Sequence, residues 1–181
     1  MERLPDTLTL RHATPSDLAA VDALLARSYP RLLAADYPAS VLVTAVPIIA
    51  CARPELLASG RYWLAVDRSG HVLGAGGWSA DAPASSDGSS GRGVLTRGLA
   101  HVRNLATDPE ATRRGIARSL MARVMGEAHR AGFERMDCLS TWTAVPFYAS
   151  VGFREIGPLE IGLRPGISFP VVRMMAGLSG L

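Results

Sequence analysis

Two cysteines in 181 residues, Cys51 and Cys138, are too few for a disulfide framework, and neither shares a metal-ligand spacing with His12, His71, His101 or His129. The expected state is two buried, reduced thiols in a reducing compartment, with no metal. Long apolar runs are missing too. The richest, Val41 to Ala52, is short and interrupted by Pro47, so no membrane span is expected. The N-terminus, MERLPDTLTL, lacks the basic start and long apolar core of a secretory signal, so a cytoplasmic protein is expected. Aromatic residues make up only 6 %, the arginines are dispersed and no nucleic-acid motif occurs, which disfavours nucleic acid as a partner. No G-x-G-x-x-G follows the first strand pattern, which disfavours a nucleotide-binding sheet of that type. There is no internal repeat.

What is present fits one globular domain with a real core: 48 % hydrophobic and 19 % charged residues, net charge +3 and pI about 9.3. A basic balance of this size suits a small anionic ligand. Thr7 to Arg11 alternates as a strand. Thr14-Pro15-Ser16-Asp17 is a helix start, and the spacing of Leu18, Val21, Leu24 and Leu25 predicts a helix to about Ser28, ended by Tyr29-Pro30. Ala39 to Cys51 reads as a helical region broken by Pro47, and Pro54 to Leu57 as a helical turn. Arg61 to Asp67 and His71 to Ser79 form a hairpin across Arg68-Ser69-Gly70. Within it Gly74, Gly76 and Gly77 mark a bulge or the close approach of another chain. Ala80 to Gly98, rich in Gly, Ser, Asp and Pro, reads as a mobile insertion. Further on, Met136 to Leu139 is a strand, Thr143 to Ser150 a helix and Gly152 to about Ile156 a strand. A bend at Gly157-Pro158, a segment Leu159 to Leu163 and a last strand Phe169 to Met174 follow. Alternating strands and helices argue a mixed α/β sheet.

The chain is organised around His101 to Arg123: a strand to Thr107, a stop at Asp108-Pro109, a glycine loop and a helix from near Ile116 to about Ala131. Ile116, Leu120, Val124 and the neighbouring Met121 and Met125 form one apolar stripe, and Gly132 stops the helix. A helix N-terminus presents unpaired N–H groups and the positive end of its dipole. With Gly115 and Ala117 leaving backbone uncovered and Arg113, Arg114 and Arg118 adding charge, the site suits a diphosphate. The alternative is a solvated basic helix start without a ligand.

Thr112-Arg113-Arg114-Gly115-Ile116-Ala117 resembles the Q/R-x-x-G-x-G/A signature of the GNAT superfamily of acetyl-CoA-dependent N-acetyltransferases, with Thr112 in place of the long polar first residue. Tyr148-Ala149-Ser150-Val151-Gly152-Phe153 is similar to its Y-x-x-x-G-F, in the same order and at about its spacing. The resemblance runs from Leu8 to Met174. It implies one N-acetyltransferase domain over residues 1–181, with the insertion at about 80–98. It also implies a mostly antiparallel sheet of about six to seven strands flanked by about four helices, with a splayed central strand pair. Acetyl-CoA would be the cosubstrate. Thr112, Arg113, Arg114, Gly115, Ile116, Ala117 and Arg118 would hold its pyrophosphate. The pantetheine arm would lie in the splay at Cys138 to Ser140, along Leu105, Ala106 and Thr107, with Thr143 facing it and the N–H of Leu105 as oxyanion donor. The helical region after the first strand would shape the acceptor pocket, with Tyr29, Tyr37 and residues from Val41 onward, although core packing explains the same spacing. Dimers are common in the family, so a homodimer is an expected state.

Acetyl transfer to an amine needs a base and an acid. His101 stands fourteen residues ahead of Gly115, the offset of a catalytic Glu in histone-acetylating relatives. An imidazole, with a free pKa of about 6.5, suits that task; the other reading is a sheet histidine bonded locally. Simple alternation puts His101, Arg103, Leu105 and Thr107 on one face of the strand. Tyr148 matches the family tyrosine that faces the leaving thiolate; the other reading is a core tyrosine packed on Phe153. The expected activity is transfer of acetyl from acetyl-CoA to a small-molecule or protein primary amine by direct attack. Neither cysteine carries a nucleophile motif. A non-catalytic acyl-CoA-binding sensor is the alternative; it would have no use for Tyr148 or His101.

Overall fold

The computed structural model describes residues 8–81 and 98–179. Its seven strands form one sheet in the order β1 (Leu8–His12), β2 (Tyr62–Asp67), β3 (Val72–Ser79), β4 (Leu99–Thr107), β5 (Arg135–Ser140), β7 (Ile167–Gly177) and β6 (Arg154–Arg164). Every neighbouring pair is antiparallel except β4 and β5. Helices α1 (Leu18–Leu33), α2 (Ala39–Thr44), α3 (Val46–Ile49) and α4 (Pro54–Ala58) come between β1 and β2. Helix α5 (Ile116–Arg130) follows β4, and α6 (Val145–Ser150) follows β5. The mixed sheet is the one that the alternation of elements predicts, and its mostly antiparallel order is the one that the family resemblance implies. Most of the expected insertion, residues 82–97, lies outside the described residues. Among those described, no helix is long and apolar enough to cross a membrane.

Helices cover both faces of the sheet. The stripe of α5, Ile116, Leu120, Met121, Val124, Met125 and Ala128, is buried over β2 to β5. Each large side chain of that kind stabilises the fold by roughly 1.5–3 kcal/mol. Helix α1 lies on the other face, over β3 and β4, with Val21, Leu24, Leu25 and Leu33 buried. The 3-10 turn Pro15–Asp17 that leads into it is fixed by a capping box between Thr14 and Asp17. Arg11 donates to both Asp17 oxygens (2.6 and 2.8 Å), which with the Thr14 bonds holds that carboxyl well below the usual range.

Several boundaries differ from the sequence reading, each for a physical reason. Tyr29-Pro30 does not end α1; the helix runs through Pro30 to Leu33. Burial of Leu33 and a bond from Ser28 Oγ to the Thr107 carbonyl (2.8 Å) outweigh the backbone bond that proline removes. Gly157-Pro158 is no bend between two segments. One strand, β6, runs through it with a register shift between Glu155 and Gly157, and as the sheet edge it tolerates a proline. The last strand is longer than Phe169 to Met174, because β7 pairs on both sides. Cys51 is exposed rather than buried, since α3 ends before it; Cys138 is buried.

The glycines of β3 serve both expected purposes, and the approaching segments belong to this chain. The β3–β4 register shifts between Ala75 and Gly77. A Cβ on Gly74 would stand 2.5 Å from Ile116 Cγ2, and one on Gly77 2.4 Å from the Arg61 carbonyl oxygen. The partner bulge in β4 centres on Asn104, at φ 43°. It overturns the simple alternation along β4. Leu105 packs with Val102 on the α5 side, whereas Ala106 joins Leu24 and Leu25 of α1. His101 and Leu105 therefore do not share a face.

Candidate active site

Strands β4 and β5 pair over only three positions, Leu99↔Arg135, Ala100↔Met136 and His101↔Asp137. Beyond them the strands part, β4 running on to Thr107 and β5 to Ser140. The gap belongs to a cleft of about 1180 Å³ that also reaches the start of α5, α6 and the α1–α3 region. The Asp108 N–H donates to the Leu73 carbonyl (2.8 Å), so by antiparallel alternation Thr107 turns its amide away from β3, toward the gap; Leu105 follows the same alternation.

At one end of the cleft the chain leaves β4 through a fixed turn. Asp108 accepts from the Glu110 N–H (2.9 Å) and from Arg27 Nε (2.7 Å). Burial alone would raise its carboxyl; these donors outweigh that and hold it below the usual range. Arg113 (φ 61°) and Gly115 (φ 74°) then take left-handed conformations. Gly115 begins α5 with no side-chain cap on the first N–H groups. Thr112, Arg113, Gly115, Ile116, Ala117 and Arg118 all line the cleft. Arg114 does not: it is exposed outside the lining. Arg118 reaches the end of α6, donating to the Ser150 carbonyl (3.3 Å) and Oγ (3.2 Å).

At the other end, where β4 and β5 join, His101 is buried and its Nδ1 lies 2.5 Å from Asp137 Oδ1. Arg173 of β7 donates to Asp137 Oδ2 from Nε (3.1 Å) and Nη2 (2.8 Å). Among the described residues His101 Nε2 is buried with no hydrogen-bond partner. Sequence reasoning missed Asp137 and Arg173. The available signal was an aspartate inside the otherwise apolar Met136 to Leu139 strand.

Tyr148 of α6 also lines the cleft. It packs edge-on against Phe147 and Phe153, so the core packing expected of it is present, but its hydroxyl bonds to no described residue. Burial pushes its phenol well above 10, so it stays protonated. Burial likewise raises the Cys138 thiol, which leaves it a poor nucleophile at neutral pH. Leu105, Ala106, Thr107 and Thr143 line the cleft too, with the Thr143 hydroxyl donating to Asp36 (2.5 Å). Tyr29, Leu33, Ile48 and Ile49 form an apolar wall. Tyr37 is not part of it. It stacks between Trp142 and Phe169, with its hydroxyl donating to the Pro170 carbonyl (2.9 Å). Among the described residues no group of three or more His, Cys, Asp or Glu is placed to hold a metal.

A family model described as an acetyltransferase (GNAT) domain matches residues 50–171, a span that takes in every candidate from His101 to Tyr148. No curated protein matches the chain. Several solved structures share the fold. A GCN5-related N-acetyltransferase from Rhodopseudomonas palustris superposes with a TM-score of 0.71 at 17 % identity, over 98 % of this chain and 99 % of its own. The PaiA N-acetyltransferase of Thermoplasma acidophilum, solved in complex with coenzyme A, gives 0.67 at 13 % identity over 94 % and 99 %. The ribosomal-protein-S18-alanine N-acetyltransferase of Escherichia coli gives 0.61 at 16 % over 96 % of each chain. With the family model covering well over half of the sequence, on this sheet and around this cleft, the chain belongs to the GNAT acetyltransferase family and is an acyltransferase of that type.

Proposed function

We propose that this chain, as one N-acetyltransferase domain acting in the cytoplasm, transfers the acetyl group of acetyl-CoA to a primary amine by direct attack. The observation that carries the reading is the cleft itself. It joins an uncapped, arginine-rich helix start to His101, whose buried Nε2 has no hydrogen-bond partner among the described residues. The fit to acetyl-CoA rests on three features. The first-turn N–H groups of α5 and Arg113 suit the pyrophosphate. The outward amide of Thr107, and by alternation that of Leu105, suits a pantetheine arm or the thioester oxygen. The Tyr148 hydroxyl is free to donate to a leaving thiolate.

In the proposed reaction the amine passes its proton to His101 Nε2, and its nitrogen lone pair attacks the thioester carbonyl. The C–S bond then breaks, the sulfur taking the electron pair and a proton from Tyr148. A raised thiol pKa at Cys138 supports transfer without an acyl-cysteine intermediate.

The test is calorimetric titration with acetyl-CoA, beside Arg113→Glu, followed by an amine screen that reads free-thiol release. The chain contains no lysine, so its own side chains supply no competing amine. Binding near one per chain, weakened by Arg113→Glu, together with amine-dependent thiol release, is the expected result. Binding with turnover indifferent to Tyr148→Phe would indicate a sensor instead.

A further inference from the structure

The base reading leaves two residues beside His101 without a task, the buried Asp137 and the partly exposed Arg173. Neither belongs to the glycine loop, and both arrive from strands beyond β4. We propose that they are positioning residues: Asp137 holds His101 as the Nδ1–H tautomer, so that the Nε2 lone pair faces the cleft, and Arg173 fixes Asp137 in that pose. The inference rests on the reading of His101 as the base.

The geometry supports it in three steps. Neutral imidazole has one N–H and one acceptor nitrogen, and the bond made by one decides the state of the other. A carboxylate only accepts, so Asp137 Oδ1 at 2.5 Å from Nδ1 selects a proton there. The other ring nitrogen, Nε2, is buried and has no partner among the described residues, in a residue that lines the cleft. Arg173 bonds through two nitrogens to Oδ2, the oxygen that His101 does not use. The carboxylate is thus gripped on both sides and cannot rotate away.

Arg173 has a second consequence. Its charge is paired with that of Asp137, so the carboxylate that orients the imidazole is itself held by a guanidinium. The other charged groups near this end are Arg103 on β4, Arg53 before α4 and Asp81 after β3, which act on one another through Arg103. Tyr29 of α1 and Tyr148 of α6 are held neutral by burial.

The deciding experiment needs no ligand. Imidazole nitrogen NMR of the whole chain, with the His101 signals identified by His101→Gln, should show Nδ1 protonated and Nε2 free near neutral pH. In Asp137→Asn the carboxamide N–H₂ can donate to Nδ1, so the signals should switch or split between tautomers. Arg173 is partly exposed, so Arg173→Gln should stay folded and keep the wild-type tautomer. An Nε2–H tautomer in the wild type, or one unchanged in a folded Asp137→Asn, overturns the proposal.

A kinetic arm uses acetyl-CoA and the best amine of the thiol-release screen. In Asp137→Asn kcat should fall on the order of 10²-fold with the acetyl-CoA KM little changed. A kcat unchanged in a folded Asp137→Asn counts against the positioning roles. If His101→Gln keeps full turnover while the wild-type tautomer is as stated, the base reading fails and the positioning of the ring stands.

Discussion

The two ends of the cleft are built from different kinds of sequence. The basic end comes from one run, Ala111 to Arg118, in which the left-handed glycine, the arginines and the helix start are neighbours in the chain. The closed end is assembled from three strands: His101, Asp137 and Arg173 stand 36 residues apart at each step and meet only because β4, β5 and β7 are adjacent in the sheet. A local run suffices to place a generic anion site, since helix N–H groups and arginines bind many phosphates. Chemistry that needs one tautomer and one free lone pair needs a sheet to deliver it. Binding should therefore follow the first end and turnover the second.

Tyr148→Phe, on α6 between the strands and the helix start, separates turnover from binding most severely. Turnover should fall on the order of 10²-fold with the acetyl-CoA dissociation constant little changed, read by steady-state kinetics beside calorimetry. Gly74→Val attacks the support of the basic end. The new side chain meets Ile116 at the first turn of α5, so urea unfolding should show a loss of about 1–3 kcal/mol and acetyl-CoA binding should weaken with it. Arg113→Glu should lower acetyl-CoA affinity roughly 10-fold with kcat retained, whereas Arg114→Glu, outside the cleft lining, should act less. Equal losses from the two would refute the distinction between them. Gly115→Ala meets no atom within 4 Å but must keep φ 74°, so a loss of about 1 kcal/mol in stability is expected.

Alkaline titration reaches both ends through the core. Burial raises Tyr148 and Tyr62 well above 10 and pushes Tyr29 up to about 12. The folded state thus holds these protons more tightly than the unfolded chain. The stability they contribute is full below about pH 10 and is lost as pH rises through the folded values. Thermal melting followed from pH 8 upward should show the decline beginning near pH 10.

Most of the fold was legible because its signals are local. The stripe from Ile116 to Met125, the stops at Gly132 and Pro109 and the hairpin around Gly70 each involve a few consecutive residues. Pro30 misled because a proline's local cost is visible in the sequence, whereas the burial of Leu33 and the Ser28 bond to Thr107 are not. The faces of β4 were misassigned for a similar reason. One extra residue at Asn104 reverses the alternation, and only the pairing with β3 shows it. His101 could be singled out by its offset from Gly115, but its partners could not, since nothing local ties residue 101 to residues 137 and 173.

The parting of β4 from β5 has a consequence for solubility. Strand edges are normally confined to the rim of a sheet, where charge, proline or a covering element guards them against pairing with other chains. β6 follows that practice with Gly157-Pro158 and its charged residues. The parted strands open a second pair of edges in the middle of the sheet, inside the cleft, where outward-turned amides such as that of Thr107 meet the gap. Whatever extended molecule occupies the gap also closes the sheet. An extended ligand bound there, as proposed, would therefore also protect these edges, and the empty chain would be the form more open to strand addition.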